Sequence, residues 1–447
     1  MSNINKINSN TSLFKLTWPI FIELVLQMLV SNADQLMISR VSQNAVAAIG
    51  NVNQIMNVLL ITFNIITMAT IILVSQYLGA ENKNKVSEVY SVALFTNLAF
   101  SMIISILLLM FNKQIFTMMK LPGELFADAG IYISIVGGGI FLQAIFLTYS
   151  AIFRSNGLMK QGMYISVLIN IINIVGNFIL INGYLGFPKL GISGVAISSV
   201  FSRLVGVVII IYSFKVNIKE KISIKYLKPF PFETFKRLMK IGLPTGGESI
   251  SYSLSQMVIL IFVNTMGTTA ITTKAYVNIL VWFSFLYSSA VGQANQIRVG
   301  YLIGAGDEDG AYKKVISTLK PALLVSIVMS MILYLFSDIF LSVFTSNTEI
   351  FKVGKTLFFI DIFLEVGRTI NIVIIRGLQA AGDIKYPTCI GIIFMWFIAT
   401  GLSYVFGIEF GLGLAGVWLA MMLDECFRAV IFYRRWNRGA WKSRNII

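Results

Sequence analysis

The 447-residue chain contains no histidine and only two cysteines, Cys389 and Cys426. Without histidine, the chain has no imidazole for acid–base catalysis near neutral pH, for metal ligation or for axial ligation of haem. Both cysteines lie in apolar runs, and their spacing fits neither a disulfide framework nor a metal site. Because a nucleophile–base motif is absent too, the sequence argues against an enzyme and predicts no cofactor.

Charged residues are scarce as well. They make up 12% of the chain, whereas hydrophobic residues make up 56% and the mean hydropathy is +0.79. A soluble protein of this size carries about 25% charged residues. The apolar runs have the length of about 20 residues that an α-helix needs to cross a bilayer. They lack the short alternating segments of a transmembrane barrel. The polar start and the long first apolar run also predict no cleavable signal peptide. The sequence therefore predicts an all-α polytopic membrane protein.

Topology explains the net charge of +15 better than nucleic-acid binding does. With twelve predicted spans, 25 of the 35 basic residues lie on or next to inner loops and tails, three lie within spans and seven lie on outer loops. This bias is the positive-inside rule. We predict a multi-pass protein of the plasma membrane, with both termini in the cytoplasm and no nucleic-acid partner.

The predicted spans form two sets of six. They lie near residues 14–38, 53–76, 90–112, 130–153, 163–184 and 193–214, and then 240–263, 276–300, 316–337, 356–376, 387–408 and 413–434. A charged stretch that is broken by Pro229 and Pro231 separates the sets. We predict an N-lobe of residues 1–214, a basic cytoplasmic connector of residues 215–239, and a C-lobe of residues 240–447 with a basic tail.

The two sets are repeats of each other. An offset of 225 residues aligns Pro19 with Pro244, Glu23 with Glu248, Asn53 with Asn278, and Gly79-Ala80 with Gly304-Ala305. Each half has an even number of spans, so the repeats share one orientation. Parallel repeats build two bundles related by an axis along the membrane normal, with the substrate path between them. The predicted fold is two six-helix lobes of this kind, which is typical of a transporter.

The first span carries the most informative acid. Residues 18–38 are apolar enough to cross a bilayer, yet they include Asp34 deep in the run, with Asn32 and Gln35 beside it. A carboxylate at that depth costs at least ~2.5 kcal/mol on insertion scales, so it should face a bundle interior or a watery cavity. Asp34 is then either a cation or proton site, or a structural acid that is paired with a buried base.

Three amides line one face of the fifth span. Asn170, Asn173 and Asn177 follow each other at spacings of three and four residues, which is one side of a helix. They either form interhelical hydrogen bonds worth about 0.6 kcal/mol each or line the cavity that holds Asp34.

Further acids in the second half are candidates for a site in the C-lobe. Glu248 follows Pro244 by one turn in the seventh span, and Asp361 and Glu365 lie one turn apart in the tenth span. Two acids beside one base, Arg368, leave a surplus negative charge that suits Na⁺, a proton or an organic cation.

The last span also carries charges. They are Asp424, Glu425 and Arg428, at spacings that let the acids meet the base on one helix face. We favour a structural, neutralised pair there.

The order of these pieces resembles the multidrug and toxic compound extrusion (MATE) family over essentially the whole chain. In the first half the resemblance is carried by WPIFIELVLQMLVSNADQLMISRVSQNAVAAIG, VSQYLGAENKNK, FRSNGLMKQG and NFILINGYLGFPKLGISGVAIS. In the second half it is carried by IGLPTGGESISYSLSQ, VGYLIGAGDEDG and IIRGLQAAGDIKYP.

The resemblance implies twelve helices in two lobes and export of organic cations and drugs by alternating access, driven by inward Na⁺ or H⁺. By position, Asp34 matches the acid of the first helix. Asn173 and Asn177 match the polar pair that completes a Na⁺ or H⁺ site in the N-lobe. Glu365 stands eleven residues before Arg376, where some members place an acid on the tenth helix.

The seventh helix departs from the family pattern. Na⁺-coupled members carry their acid about a turn after the position of Glu248, where this chain has Tyr252. The resemblance therefore does not transfer a C-lobe Na⁺ site onto Glu248. Tyr252 and Gln256 here, with Asn32 and Gln35 on the first helix, are the candidates for lining the substrate cavity.

We predict a monomeric, secondary active multidrug efflux antiporter that contacts membrane lipid and exchanges organic cations or drugs for H⁺ or Na⁺. Two other cargoes stay open. One is the lipid-linked oligosaccharide of a flippase in the same superfamily, although such flippases have basic cavities and the candidates here are acidic. The other is a flavin nucleotide, because LEVGRTINIVIIRGLQAAGD resembles a bacterial branch with flavin-nucleotide exporters.

Overall fold

A computed structural model describes residues 12–39, 42–442, 444 and 446–447, without the side chains of residues 30–33 and 35. Almost all of these residues are helical, and none of them lies in a β-strand. The predicted all-α class is confirmed.

Seven α-helices and two 3₁₀ turns make up the first half. The helices are α1 (Leu13–Ser39), α2 (Gln43–Gly79), α3 (Lys83–Met118), α4 (Phe126–Gly138), α5 (Ile140–Ser155), α6 (Met159–Asn182) and α7 (Ile192–Asn217), and the 3₁₀ turns are Gly123–Leu125 and Tyr184–Gly186. The segment Gly123–Gly138 meets α5 at a bend of 43°, so a broken helix takes the place of the fourth predicted span.

Eight α-helices make up the second half. They are α8 (Phe232–Asn264), α9 (Thr268–Gly304), α10 (Glu308–Leu335), α11 (Ser337–Ser342), α12 (Thr348–Ala380), α13 (Lys385–Phe394), α14 (Gly401–Tyr404) and α15 (Gly413–Asn437). Two π-helical turns, Met395–Thr400 and Val405–Glu409, continue α13 and α14 into one helical rod.

Twelve helical segments are long enough to cross a membrane, if the bent α4–α5 pair and the rod of residues 385–409 each count as one segment. In the part of the chain that the structure describes, eight single helices are also apolar enough, and the bent α4–α5 pair is a ninth. Helices α12 and α15 are not among these nine because they carry more charged residues. Helix α1 is not among them because several of its side chains are not described. The helices are longer than the predicted spans because their polar ends remain helical beyond the apolar runs.

The chain divides into two compact units. Unit 1 includes Ile22–Leu78 and Asn82–Gly242, and unit 2 includes α1 up to Phe21, Gly79–Glu81 and Leu243–Ile447. Each unit has its own hydrophobic core.

A close approach of α6 and α7 shapes unit 1. A Cβ atom on Gly176 would lie 2.4 Å from the Ser198 hydroxyl, and one on Gly206 would lie 2.2 Å from Cδ1 of Ile169. Because glycine has no side chain, the two helices pack backbone against side chain along the face that carries the amides of α6. Small residues thus place the polar groups of α6 and α7 within hydrogen-bond distance.

In unit 2, α12 packs against α9, α10 and α15. A Cβ atom on Gly367 would lie 2.8 Å from the backbone nitrogen of Cys426. The backbones of α12 and α15 are therefore in direct contact at the depth of the acidic residues.

The C-terminal tail is part of unit 2. The Trp441 indole is buried and stacks on Trp436 at 4.2 Å between ring centroids, and it donates a 3.0 Å hydrogen bond to the Trp436 carbonyl. Lys442 reaches Asp309 at 2.9 Å. The same hydrophobic cluster includes Leu13 at the start of α1. The tail therefore completes the packing of the unit.

The connector between the halves is shorter than predicted. Helix α7 continues to Asn217 and α8 begins at Phe232, so the connector outside the α-helices is residues 218–231 and not 215–239. It contains a 3₁₀ turn at Ile224–Leu227. The prediction made both helices too short because it placed the lysines outside them. Lysine side chains are compatible with the ends of α7 and α8.

Candidate functional site

Asp34 lies buried in unit 1 and is bound by an amide of α6. The Asn177 amide donates a 2.5 Å hydrogen bond to the Asp34 carboxylate, and Asn177 is fully buried. The structure thus brings together two residues that the sequence placed at one site. Among the described residues, no basic side chain forms an ion pair with Asp34, which is the alternative that the sequence left open.

Asn173 lies one turn along α6 and is held from the other side by α7. Its side-chain amide donates a 3.1 Å hydrogen bond to the Ser199 hydroxyl. The Ser198 hydroxyl donates a 2.8 Å hydrogen bond to the backbone carbonyl of Asn173. The side-chain carbonyl oxygens of Asn173 and Asn177 are buried and have no hydrogen-bond partner among the described atoms. Two neutral oxygens therefore lie on the face of α6 that binds the Asp34 carboxylate.

Two further groups lie near this carboxylate. Arg203 on α7 and Tyr132 on α4 are within electrostatic range of Asp34. Tyr132 is buried, and Arg203 is partly exposed. Arg203 is one of the three basic residues that lie within the predicted spans. Sequence analysis missed Tyr132, Ser198 and Ser199, because a hydroxyl residue in an apolar helix gives no periodic signal.

The arrangement suits a cation with oxygen ligands. Hard cations take carboxylate and carbonyl oxygens, and those are the atoms that Asp34, Asn173 and Asn177 offer. Within the described part of the chain, no three acidic or thiol side chains converge on one point. A cation here would therefore be held by one charged oxygen ligand and neutral ones.

The other acid of α1, Glu23, is paired. Arg154 at the end of α5 forms a 2.8 Å ion pair with the Glu23 carboxylate, and the Ser150 hydroxyl donates to it at 3.2 Å. Glu23 is therefore a structural link between α1 and α5, and it is not part of the Asp34 cluster.

In unit 2, the two acids of α12 differ in how they are paired. Glu365 is fully buried, its first oxygen pairs with Arg368, and its second oxygen accepts a 3.0 Å hydrogen bond from the Ser284 hydroxyl. Asp361 is 1% exposed and forms no ion pair with a described residue, and its Oδ2 atom has no hydrogen-bond partner among the described atoms. Of the two, Asp361 therefore has the unsatisfied acceptor.

The charges on α15 form a bridged cluster. Arg428 contacts Asp424, to which its Nε donates at 3.1 Å, and it also lies 3.1 Å from Glu425. Asn371 on α12 donates a 2.6 Å hydrogen bond to Glu425. The predicted pairing on this helix face is present, and it extends to two acids and to a neighbouring helix.

Glu248 on α8 lies near this cluster in unit 2. It accepts a 3.3 Å hydrogen bond from the Thr388 hydroxyl and is within electrostatic range of Arg428 and Arg376. Tyr252, one turn further along α8, is exposed and is within electrostatic range of Arg368. Glu248 therefore lies close to charged side chains of α12 and α15, whereas Asp361 and Glu365 lie one turn apart on α12.

For the predicted substrate-cavity residues whose side chains are described, the structure gives no hydrogen bond that would define a site. Gln256 lies on α8, one turn after Tyr252, and is partly buried. Asn32 and Gln35 lie in α1, but their side chains are outside the described part of the structure.

Comparisons with known proteins match nearly the entire chain. The family model described as MatE matches residues 19–179 and 244–405, two segments that begin 225 residues apart. That spacing equals the offset that aligns the two halves of the sequence.

Two curated relatives illustrate the range of similarity. "Uncharacterized transporter YisQ" of Bacillus subtilis is 40% identical over 97% of this chain and 96% of its own length. "Probable multidrug resistance protein NorM" of Thermotoga maritima is 26% identical over 97% of this chain and 94% of its own length.

The fold also matches solved structures. One described as "Crystal structure of MATE in the bent conformation" superimposes with a TM-score of 0.90 at 20% identity, over 98% of this chain and 97% of that chain. At this identity the likeness shows the fold, which has twelve transmembrane helices.

Proposed function

Because the chain belongs to the MatE family, whose members are transporters and not enzymes, we propose that it is a secondary active antiporter. It exports organic cations or drugs in exchange for H⁺ or Na⁺. Relatives named as probable multidrug resistance proteins support this cargo class. The observation that carries the proposal is the buried Asp34–Asn177 hydrogen bond beside two unpartnered amide oxygens.

The Asp34 carboxylate supplies the exchangeable charge. A carboxylate in a membrane-spanning helix is costly unless a cation, a proton or hydrogen bonds compensate it. Asn177 supplies one hydrogen bond, and the carbonyl oxygens of Asn173 and Asn177 supply neutral ligands for an incoming cation. Ser199 fixes the Asn173 amide, so the ligand atoms are held in place before the ion arrives.

Coupling follows from differential affinity. A ligand shifts a conformational equilibrium only by the difference between its affinities for the two states. In this mechanism the ion-bound state of the Asp34 site has low affinity for cargo, and the ion-free state, with its negative charge restored, has high affinity for a cation. As the site opens alternately to the two sides of the membrane, the coupling ion is exchanged for the cargo.

The acids of unit 2 form a second cation-binding region in this mechanism. Arg368 and Ser284 occupy both oxygens of Glu365, so that residue is a structural anchor. Asp361 retains a buried oxygen without a partner. We assign the exchange of a proton or Na⁺ in unit 2 to Asp361, with Glu248 and Glu365 shaping the local charge.

The test is export of a fluorescent organic cation from proteoliposomes, driven in turn by a pure Na⁺ gradient and by a pure pH gradient. We expect one gradient to drive export and Asp34→Asn to reduce it to the level of protein-free liposomes. Asp338→Asn, the same change at an exposed acid, serves as the control and should export like the wild type.

Two outcomes would reject the proposal. One is export by Asp34→Asn at the wild-type rate under the same gradient. The other is the absence of export under both gradients with several organic cations, after which flavin nucleotides and lipid-linked oligosaccharides become the cargoes to test. In this proposal the protein works as a monomer in the plasma membrane, and both of its termini lie in the cytoplasm, as the distribution of basic residues predicts.

A further inference from the structure

The connector between α7 and α8 displays lysines whose side chains form no ion pair with any described residue. The five lysines from the last turn of α7 to the end of the connector are Lys215, Lys219, Lys221, Lys225 and Lys228. All five are exposed, and none of them forms an ion pair with a described residue. The only acid among them is Glu220, so this stretch, which we call the lysine connector (215–232), carries a formal charge of +4.

The backbone of the lysine connector is nevertheless fixed to unit 1. The Ser223 backbone N–H donates a 3.0 Å hydrogen bond to the Ser91 hydroxyl on α3, and the Phe230 ring packs on Phe95 at 6.1 Å between centroids. Just beyond it, the Thr234 hydroxyl donates to Glu88 on α3. These contacts hold the lysines in a constant position relative to the end of the bundle.

Apolar side chains stand exposed among these lysines. Ile224 is 70% exposed and Phe232 is 67% exposed, and the adjoining Phe230 is 39% exposed. Exposed apolar residues interspersed with lysine are the composition of segments that lie in the plane of a bilayer interface. The apolar residues reach the acyl boundary while the lysines remain at headgroup level.

We propose that the lysine connector is a binding surface for the headgroups of anionic phospholipids. Its position at the ends of two membrane-spanning helices places it at the bilayer surface, and clusters of lysine in that position attract anionic lipids. The charges are complementary, the lysines form no ion pair with the described part of the chain, and the anchor on α3 gives the surface a fixed shape. The inference is independent of the cargo and of the coupling ion.

The experiment is hydrogen–deuterium exchange of the full-length protein in nanodiscs of phosphatidylcholine alone and of phosphatidylcholine mixed with phosphatidylglycerol. We expect the backbone amides of the lysine connector to exchange several-fold more slowly in the discs with phosphatidylglycerol. Raising the salt concentration should abolish this difference, because headgroup charges are screened beyond about 10 Å at 0.1 M salt.

Two variants separate this surface from general surface charge. The connector variant changes Lys219, Lys221 and Lys225 to Gln, and the control variant changes three other exposed lysines, Lys113, Lys120 and Lys189, to Gln. The connector variant should lose the lipid-dependent protection, and the control variant should keep it.

Any of three results would overturn the proposal. They are equal exchange in both kinds of disc, protection that persists in the connector variant, and protection that both variants lose to the same extent. The salt series with the wild-type protein keeps the test valid even if a variant fails to fold.

Discussion

The Ser199 hydroxyl accepts the amide proton of Asn173 inside the bundle, and no other partner of that amide is present among the described residues. Ser199→Ala removes the acceptor and leaves a buried donor unsatisfied, which costs about 1–3 kcal/mol. We expect a lower melting temperature in detergent and a weaker dependence of export on the coupling ion, because the Asn173 oxygen loses its fixed orientation.

Ser202 offers a matched control for that change. It is equally buried, but its hydroxyl donates only within its own helix, to the Ser199 carbonyl at 3.0 Å. Ser202→Ala should therefore leave the ion dependence unchanged. Equal effects of the two substitutions would mean that the Ser199 hydroxyl contributes to packing and not to the orientation of Asn173.

The two acids of α12 should respond in opposite ways to neutralisation. Glu365→Gln leaves the Arg368 guanidinium without its closest counter-charge, and the loss of one partner of a buried ion pair costs about 3–5 kcal/mol. Asp361→Asn keeps the size of the side chain and breaks no ion pair between described residues, so we expect near wild-type unfolding but altered ion-driven export. Thermal unfolding and proteoliposome transport of both variants decide the assignment. Strong destabilisation by Asp361→Asn alone would contradict it.

At the level of single residues, the sequence predicted the acids better than their partners. Asp34 and Asp361 are conspicuous because charges are rare in apolar runs and expensive in a membrane. Ser199 and Ser284 are ordinary residues in apolar helices, and only the packing of helices reveals that they bind Asn173 and Glu365. The pairing of Glu23 with Arg154 was equally hidden, because 131 residues separate them in the chain.

Helix α12 packs against α15 with no room for a side chain at Gly367. A methyl group there would meet the backbone atoms of Glu425 and Cys426 at 2.8 Å, and backbone cannot yield as a flexible side chain does. Gly367→Ala should force the two helices apart and destabilise the protein by about 1–3 kcal/mol. Asn371 would then lose its short hydrogen bond to Glu425.

Thermal unfolding in detergent measures this effect, with Gly247→Ala as the control. Gly247 also lies within a helix of unit 2, but a Cβ atom there would meet no other atom within 4 Å. Because alanine is the better helix former, the control should be neutral or slightly stabilising. A neutral Gly367→Ala would show that the contact of α12 and α15 is looser than the structure indicates.

Among the elements, hydrophobic length predicted where helices lie but not how they bend. The bend between α4 and α5 falls at Gly138 and Gly139, and the glycines before it belong to an apolar run that looks continuous. The π-helical turns Met395–Thr400 and Val405–Glu409 are likewise invisible in the apolar periodicity. Such breaks depend on contacts with neighbouring helices, and these contacts cannot be predicted from a single sequence.

For the whole molecule, the repeat aligns Glu23 with Glu248 but does not extend to Asp34, to the amides of α6 or to Asp361. With the 225-residue offset, Asp34 corresponds to Ile259, and Asn173 and Asn177 correspond to Ile398 and Leu402. In the other direction, Asp361 corresponds to Val136. The units therefore share a backbone plan but carry different polar sites, and this difference is why we assign the two sites separate residues and not one duplicated motif.

The C-terminal tail contributes to the stability of the whole protein. Trp441 is 1% exposed and stacks on Trp436, and truncation of a buried tryptophan costs about 3–5 kcal/mol. Trp441→Ala should lower the melting temperature markedly, whereas Trp282→Ala, at a tryptophan that is 42% exposed, should change it little. Equal melting temperatures of Trp441→Ala and the wild type would show that the tail is not part of the folded core.

The composition of unit 2 has a consequence for the order of folding. One of its hydrophobic clusters joins Leu13, at the start of α1, to Trp441, which follows α15. The described part of unit 1 ends at Gly242, so unit 1 is free to assemble while the second half is still being synthesised. Because synthesis runs from the N-terminus, Leu13 has no complete cluster to pack on until Trp441 has been made. We therefore expect unit 1 to assemble before unit 2.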